Sequence, residues 1–196
     1  MEQFFAGSVA SAFCLFMRII SGIHKGRTLQ APAKLPVRPT TDRAKEALFN
    51  WLDHRYELRG MTAIDLFSGT GNIAYELGSR GAASILAVDQ HAGCCRFIKE
   101  TAQQLQLPIQ VLQADVFGWI QKSGQHAMLV FADPPYDHPR LPDLPDLILQ
   151  HGLRAVGGVF VLEHPKHRSF EQHPALTEQR VYGQSVFSIF EDHTES

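Results

Sequence analysis

Cysteine is scarce in this chain of 196 residues: Cys14, Cys94 and Cys95 are the whole complement. Two of them are adjacent and the count is odd, so no disulfide framework is available and a reducing, cytoplasmic setting is expected. No apolar run approaches the roughly 20 residues of a membrane-spanning helix, and no membrane association is expected. The first 16 residues include Phe4, Phe5, Val9, Phe13, Leu15 and Phe16, but they carry Glu2 where a signal peptide has a basic head. Metal motifs are lacking despite ten histidines. Pro165 breaks the register of His164-Pro165-Lys166-His167, and no cysteine spacing or His-Glu helix pattern supplies ligands, so no metal is expected. Internal repeats, low-complexity tracts and linkers are missing too. With 44% hydrophobic residues, one domain of ordinary size can bury its core unaided.

Charge of one sign is also in short supply, with a net of −2, but the average hides an asymmetry. Between Met17 and Lys45 stand Arg18, Lys25, Arg27, Lys34, Arg38, Arg43 and Lys45 against the single acid Asp42, a net of +6, so the remainder sums to −8. A basic arm on an acidic body suits a protein whose arm meets a phosphate backbone while its body does chemistry. A solvated charged face explains the same run without a ligand. Strand-like pieces Arg18 to Ile20 and Thr28 to Gln30, with Gly22 and Gly26 between them, favour a hairpin over a disordered tail.

The rest of the chain alternates strands with helices, the pattern of a doubly wound α/β sheet. An amphipathic helix from Thr41 to about Arg55 puts Ala44, Ala47, Leu48, Trp51 and Leu52 on one face. Strands are expected at Thr62 to Phe67, Ser84 to Val88, Ile109 to Gln113, Met128 to Ala132 and Gly158 to Glu163. Helices are expected from about Asn72 to Ser79, His91 to Leu105, around Trp119, and from Pro142 to Leu153. Thr177 to Tyr182 and Ser185 to Phe190 flank Gly183-Gln184 as an antiparallel hairpin closing the sheet.

Two strand ends carry the chemistry. Asp133-Pro134-Pro135-Tyr136 closes the Met128 to Ala132 run with a carboxylate, two rigid prolines and an aromatic ring, a combination suited to gripping a planar amine. Ligands of open α/β sheets sit outside the carboxyl ends of strands, so the position agrees, although the same residues also make a turn that stops a strand. Upstream, Thr62 to Phe67 runs into Ser68-Gly69-Thr70-Gly71-Asn72, whose glycines allow a tight turn with exposed N–H groups before a helix. Asp89 follows about 20 residues later, the spacing at which an acidic residue meets ribose hydroxyls. Gly69, Gly71 and Ala74 also satisfy a dinucleotide pattern, which keeps a nicotinamide cofactor in play. Asp65 discriminates, because a carboxylate four residues before Gly69 repels a pyrophosphate and attracts the ammonium and sulfonium of S-adenosylmethionine. A cap that satisfies loop amides is the alternative role for Asp65. Asp115, past the third strand of this series, suits either an adenine amine or a helix cap.

These residues resemble a known family. Asp65-Leu66-Phe67-Ser68-Gly69-Thr70-Gly71 is similar to the first motif of class I methyltransferases, and Asp133-Pro134-Pro135-Tyr136 to their amino-methylating motif. Met17-Arg18-Ile19-Ile20-Ser21-Gly22, Lys25-Gly26-Arg27, Arg38-Pro39-Thr40-Thr41-Asp42-Arg43 and Leu48-Phe49-Asn50-Trp51-Leu52 resemble the bacterial 16S ribosomal RNA guanine-N2 methyltransferases of the RsmD family. The resemblance runs from Met17 to about Phe190. It departs at Asp89, where the family more often has Glu, and at Cys94-Cys95, which match no pattern of the family.

The resemblance implies a Rossmann-like class I methyltransferase with a mostly parallel sheet, an antiparallel C-terminal hairpin and a small basic N-terminal hairpin and helix. It implies one methyltransferase domain over 17–196, with an arm and helix at 17–58 and a catalytic core at 59–192. Residues 1–16 are then an extension that adds little to activity. The implied cofactor is S-adenosylmethionine, held by Asp65, Phe67, Ser68, Gly69, Thr70, Gly71, Asp89 and Asp115. Asp133 and the Pro134 carbonyl would hold the amine, with Pro135 fixing the backbone and Tyr136 stacking on the base. Arg18, Lys25, Arg27, Arg38, Thr40 and Arg43 would bind the substrate, 16S rRNA in small-subunit particles or assembly intermediates, with the methionine carboxylate of the cofactor as the alternative partner of Arg38, Thr40 and Arg43, and the enzyme would act as a monomer. Two other readings compete: an amino-methyltransferase acting on DNA or another RNA, and a ribosome-assembly protein that binds RNA without catalysis.

Overall fold

The computed structural model describes residues 15–32, 34–35 and 41–192. The expected extension up to residue 14, Arg38 and Thr40 lie outside the described residues. A hairpin of β1 (Leu15–Arg18) and β2 (Thr28–Ala31) leads to α1 (Asp42–Arg55). The core then alternates β3 (Thr62–Leu66), α2 (Asn72–Ser79), β4 (Ser84–Asp89), α3 (Ala92–Leu105), β5 (Ile109–Gln113), α4 (Val116–Ile120), β6 (Ala127–Ala132), α5 (Leu144–Gln150) and β7 (Arg154–Pro165). It ends with the antiparallel pair β8 (Leu176–Tyr182) and β9 (Ser185–Phe190).

The seven strands of the main sheet run in the order β5-β4-β3-β6-β7-β9-β8. The first five of these pair in parallel, and β9 enters antiparallel between β7 and β8. Successive side chains of a strand face opposite ways. Ala63, Leu129, Phe131, Val159 and Val161 thus join the apolar cluster of α1, α2, α3 and the hairpin. Ile64, Leu66, Val130, Ala132, Phe160 and Leu162 face the other cluster, with α4 and α5. Burial on both faces explains why these strands read as unbroken apolar runs rather than as alternating ones.

The sheet reverses direction of growth between β3 and β6, since β4 and β5 lie on one side of β3 and β7 on the other side of β6. At such a switch point the loops leaving the two strands part and leave a crevice. Those loops are the glycine loop and the Asp133 motif.

Three elements differ from the sequence reading. The first hairpin strand lies three residues earlier than Arg18 to Ile20, because the Ile20 amide donates to Glu76 Oε2 at 2.7 Å instead of to the ladder. Leu15 and Phe16 therefore pair with Ala31 and Gln30, and the expected boundary at Met17 falls inside a strand. The Pro142 to Leu153 helix is a 3-10 turn at Leu141–Asp143 followed by the short α5. Pro145 has no N–H to give to the preceding turn. The strand expected at Gly158 to Glu163 extends over 12 residues, with a register shift against β6 between Ala127 and Leu129 and Gly157 in the left-handed region.

Lys45, counted with the basic arm, is corrected outright. It is fully buried, and its Nζ donates to Arg18 O at 2.6 Å and Asn72 Oδ1 at 2.7 Å and lies 3.5 Å from Glu76 Oε2. Buried Glu76 also accepts from the Ser21 amide at 3.0 Å and from Arg80 Nε at 2.9 Å. Ser79 completes the seam: its carbonyl accepts from Ile23 N at 2.8 Å, and its Oγ accepts from His24 N at 3.0 Å. The hairpin is bound to α2 through its own backbone.

Candidate active site

The crevice opens into a cavity of about 700 Å³. From β3 and its loop come Asp65, Phe67, Ser68, Gly69 and Thr70, from the end of β4 comes Asp89, and from the β6 loop come Asp133, Pro134, Pro135 and Tyr136. The parallel register makes this convergence inevitable, since Leu66 pairs with Ala132 and Ala132 with Leu162. Phe67, Asp133 and Glu163 therefore stand side by side as the next residues of three adjacent strands.

The glycine loop is held by carboxylates. Asp89 Oδ2 accepts from the Gly69 amide and Oδ1 from the His91 amide, each at 2.8 Å, tying the first loop to the second. Gly71 has φ +83 and starts α2, where an added Cβ would come within 2.9 Å of Tyr75 Cζ and 3.0 Å of Ile98 Cγ1. It does not line the cavity, so its work is the turn itself. Phe67 takes a left-handed φ of +56, strained for a side chain with a Cβ, and lies in the loop that leaves β3 for the cavity. Thr70 Oγ1 donates to Met17 Sδ at 2.9 Å, linking this loop to the hairpin strand.

Asp65 is 1% exposed and accepts the Ala74 amide at 3.2 Å. Burial raises its pKa to about 8, opposed by that amide and helped by the neighbouring charge of Asp89. Among the described residues the lining carries four carboxylates, Asp65, Asp89, Asp133 and Glu163, and no Lys or Arg. Such a lining offers a pyrophosphate no cationic side chain and gives a cationic ligand acidic partners. Ser68 Oγ is buried with no hydrogen-bond partner among the described residues. It offers a further polar contact to a molecule in the cavity.

Tyr136 is half-buried, and its hydroxyl donates to Glu163 Oε1 at 3.1 Å and shares a 2.7 Å hydrogen bond with Ser185 Oγ. Burial, the largest cause, pushes its pKa up, so the phenol stays protonated. The ring is thereby fixed beside Asp133 by two partners that sequence reasoning did not join to it. Glu163 was noticeable as an acid at a strand's carboxyl end; Ser185 had no local signal. Cys94 also lines the cavity, with its thiol pushed up to about 12 by burial, so it is no thiolate nucleophile.

Other expected residues lie elsewhere. Asp115 does not line the cavity; its side chain accepts the Gly118 amide at 2.7 Å and caps α4, the alternative its position always offered. Thr41 caps α1 through Ala44 N at 3.3 Å and reaches the cavity wall. Arg18, Lys25, Arg27 and Arg43 are exposed away from the lining, with Arg18 3.4 Å from Asp42 in an ion pair. Among the described residues no three His, Cys, Asp or Glu converge as a metal site requires, and no helix is long and apolar enough to cross a membrane.

A parallel sheet entered by one antiparallel strand next to its edge is the architecture of the class I methyltransferases. A carboxylate-lined crevice at its switch point fits S-adenosylmethionine, so the fold and site define an S-adenosylmethionine-dependent methyltransferase of that class. Within it, the chain belongs to the family described as Conserved hypothetical protein 95, which it matches over residues 17–191. The Escherichia coli K12 ribosomal RNA small subunit methyltransferase D is 28% identical over 179 residues, covering 89% of each chain. A solved hypothetical protein of Thermus thermophilus is 31% identical with a TM-score of 0.79, over 89% of this chain and 99% of that one. The fold also recurs in the T. thermophilus 16S rRNA N2 methyltransferase RsmC, solved with AdoMet and guanosine, at 17% identity and a TM-score of 0.71, over 91% of this chain and 50% of RsmC.

Proposed function

We infer that the protein methylates the exocyclic N2 amine of a guanine in 16S ribosomal RNA, in the cytoplasm, on small-subunit particles or their assembly intermediates. The observation that carries this reading is the Asp133-Pro134-Pro135-Tyr136 loop standing at the cavity wall level with Phe67 and the glycine loop. The small-subunit RNA methyltransferase among the relatives supports the substrate class.

S-adenosylmethionine, when bound, supplies a sulfonium methyl as the electrophile. Asp65 would pair with its ammonium, and Asp89 and Ser68 would bond its hydroxyls. A guanine amine is a weak nucleophile because its lone pair is delocalised into the ring. Asp133 and the Pro134 carbonyl each accept one amine hydrogen, which orients the nitrogen lone pair toward the methyl. Orientation of this kind supplies up to roughly 7–11 kcal/mol of the barrier. The methylated nitrogen is strongly acidic, and its proton passes to Asp133 or water after transfer. The Tyr136 ring stacks on the extruded base. Arg18, Lys25 and Arg27 lie on a hairpin locked to the core, so phosphate contacts made there orient the RNA with respect to the cavity.

The test is transfer of tritiated methyl to small-subunit particles and to naked ribosomal RNA from cells lacking the protein, followed by nucleoside analysis. Label in N2-methylguanosine is the expected result. Label in another nucleoside, or none while the cofactor still binds, overturns the assignment in favour of a different nucleic acid or of binding without catalysis.

A further inference from the structure

Glu163 has no part in the methyl transfer derived above, yet it is placed beside the residues that do. The β6–β7 register puts it next to Asp133 at the carboxyl ends of neighbouring strands. It follows Phe160-Val161-Leu162, is 3% exposed and lines the cavity. A buried carboxylate is costly unless hydrogen bonds compensate it. Tyr136 supplies one bond at 3.1 Å, and Ser185 braces Tyr136 from β9, at the level where Ser185 pairs with Pro165. A carboxylate offers about four acceptor positions, so several donors can share it.

Guanine presents three donors in a row along one edge: the two hydrogens of the N2 amine and, beside them, N1–H. Asp133 and the Pro134 carbonyl take the amine hydrogens in the reading above. The adjacent carboxylate then meets N1–H. Adenine beside its N6 amine, and cytosine beside its N4 amine, present a ring nitrogen lone pair at the equivalent place, which a carboxylate repels. Discrimination of this sort works by repulsion as much as by attraction.

We propose that Glu163 selects guanine by accepting N1–H of the target base, with Tyr136 and Ser185 as the positioning residues that aim its carboxylate. The inference rests on the guanine-N2 reading and adds the residue that chooses the base. Asp133 grips an amine of any base; Glu163 makes the site specific to one.

2-Aminopurine separates the two roles, because it keeps the 2-amine and replaces N1–H with a lone pair. Small-subunit particles are reconstituted with RNA carrying guanine or 2-aminopurine at the methylated position, and kcat/KM is measured for each. The wild-type protein is expected to prefer guanine by about 100-fold or more, as sites built around a donor reject analogues lacking it. In Glu163→Gln the carboxamide can donate to the N1 lone pair, so the ratio falls by about tenfold or more while cofactor affinity holds within about twofold. A merely structural Glu163 lowers both rates together and leaves the ratio unchanged. An unchanged ratio in Glu163→Gln, or a wild-type protein that uses both bases equally, overturns the proposal; the wild-type comparison needs no variant to fold. Absence of transfer to guanine in the wild-type protein instead overturns the guanine reading itself.

Discussion

Cofactor binding should expel a proton from Asp65. In the free protein burial places this carboxyl at about pKa 8, so at pH 7 about nine in ten molecules carry it protonated. An ammonium beside the carboxylate favours the charged form and draws the pKa back toward the ordinary value near 4. Binding at pH 7 is then expected to release close to one proton, and affinity to rise about tenfold between pH 6 and pH 7, where the ligand's own amine stays charged. Calorimetry in two buffers of different ionisation heat reads the proton directly, with S-adenosylhomocysteine as the unreactive ligand. The same group sets a stability trend in the free protein. A pKa raised on folding gives stability that is full below the unfolded value near 4 and lost progressively as pH rises from there through about 8, a loss of roughly 6 kcal/mol at most. Asp65→Asn removes that slope and stabilises the free protein at pH 8, while weakening cofactor binding. Flat affinity from pH 6 to 7, together with release of less than about a fifth of a proton, refutes the reasoning about burial and charge.

The remaining outcomes concern catalysis, the arm and the seam beneath it. Asp133→Asn keeps the shape of the motif and loses the carboxylate; single-turnover methyl transfer should fall about 100- to 1,000-fold with cofactor affinity within about twofold. Tyr136→Phe keeps the ring but deletes the bonds to Glu163 and Ser185, and kcat/KM should fall about tenfold; an unchanged value removes the hydroxyl from the site. Replacing Arg18, Lys25 and Arg27 by Glu should weaken RNA binding and flatten its salt dependence by about 0.7–0.9 for each phosphate left without its cation, with cofactor affinity unchanged. Lys45→Met should cost about 3 kcal/mol in urea unfolding, since it strands buried Glu76 with one cation fewer, whereas exposed Arg27→Met should cost almost nothing.

What could be read from the sequence was what the chain does locally. Strand, tight turn and helix start succeed one another within a dozen residues around Gly69 and Gly71, so α2 falls where its glycines and apolar pattern put it. Asp65, Asp89 and Asp133 reach one cavity because each lies at or just past the carboxyl end of a strand, and a parallel sheet aligns those ends. Asp115 ends up on a helix cap because the same local geometry offers a nearer donor, the Gly118 amide. Tyr136 could be seen as a ring but not as a tether, since its partners lie 27 and 49 residues away.

Long-range pairing also decides which cations of the basic arm reach the surface. Charge counting treats Lys45 and Arg27 alike, yet Lys45 follows the α1 cap and turns inward to Glu76 while Arg27 faces solvent. Glu76 reaches Ile20 and Ser21 across 56 and 55 residues, a separation at which no local pattern survives. Gly22 shows how close the seam is: with φ +82, an added Cβ would sit 1.8 Å from Ser79 O. Because that approach is backbone on backbone, the hairpin cannot swing without breaking Ile23 N to Ser79 O as well. The backbone that carries Arg18, Lys25 and Arg27 is therefore held in place against α2, and under the proposed function an RNA bound at the hairpin would reach the cavity in one register.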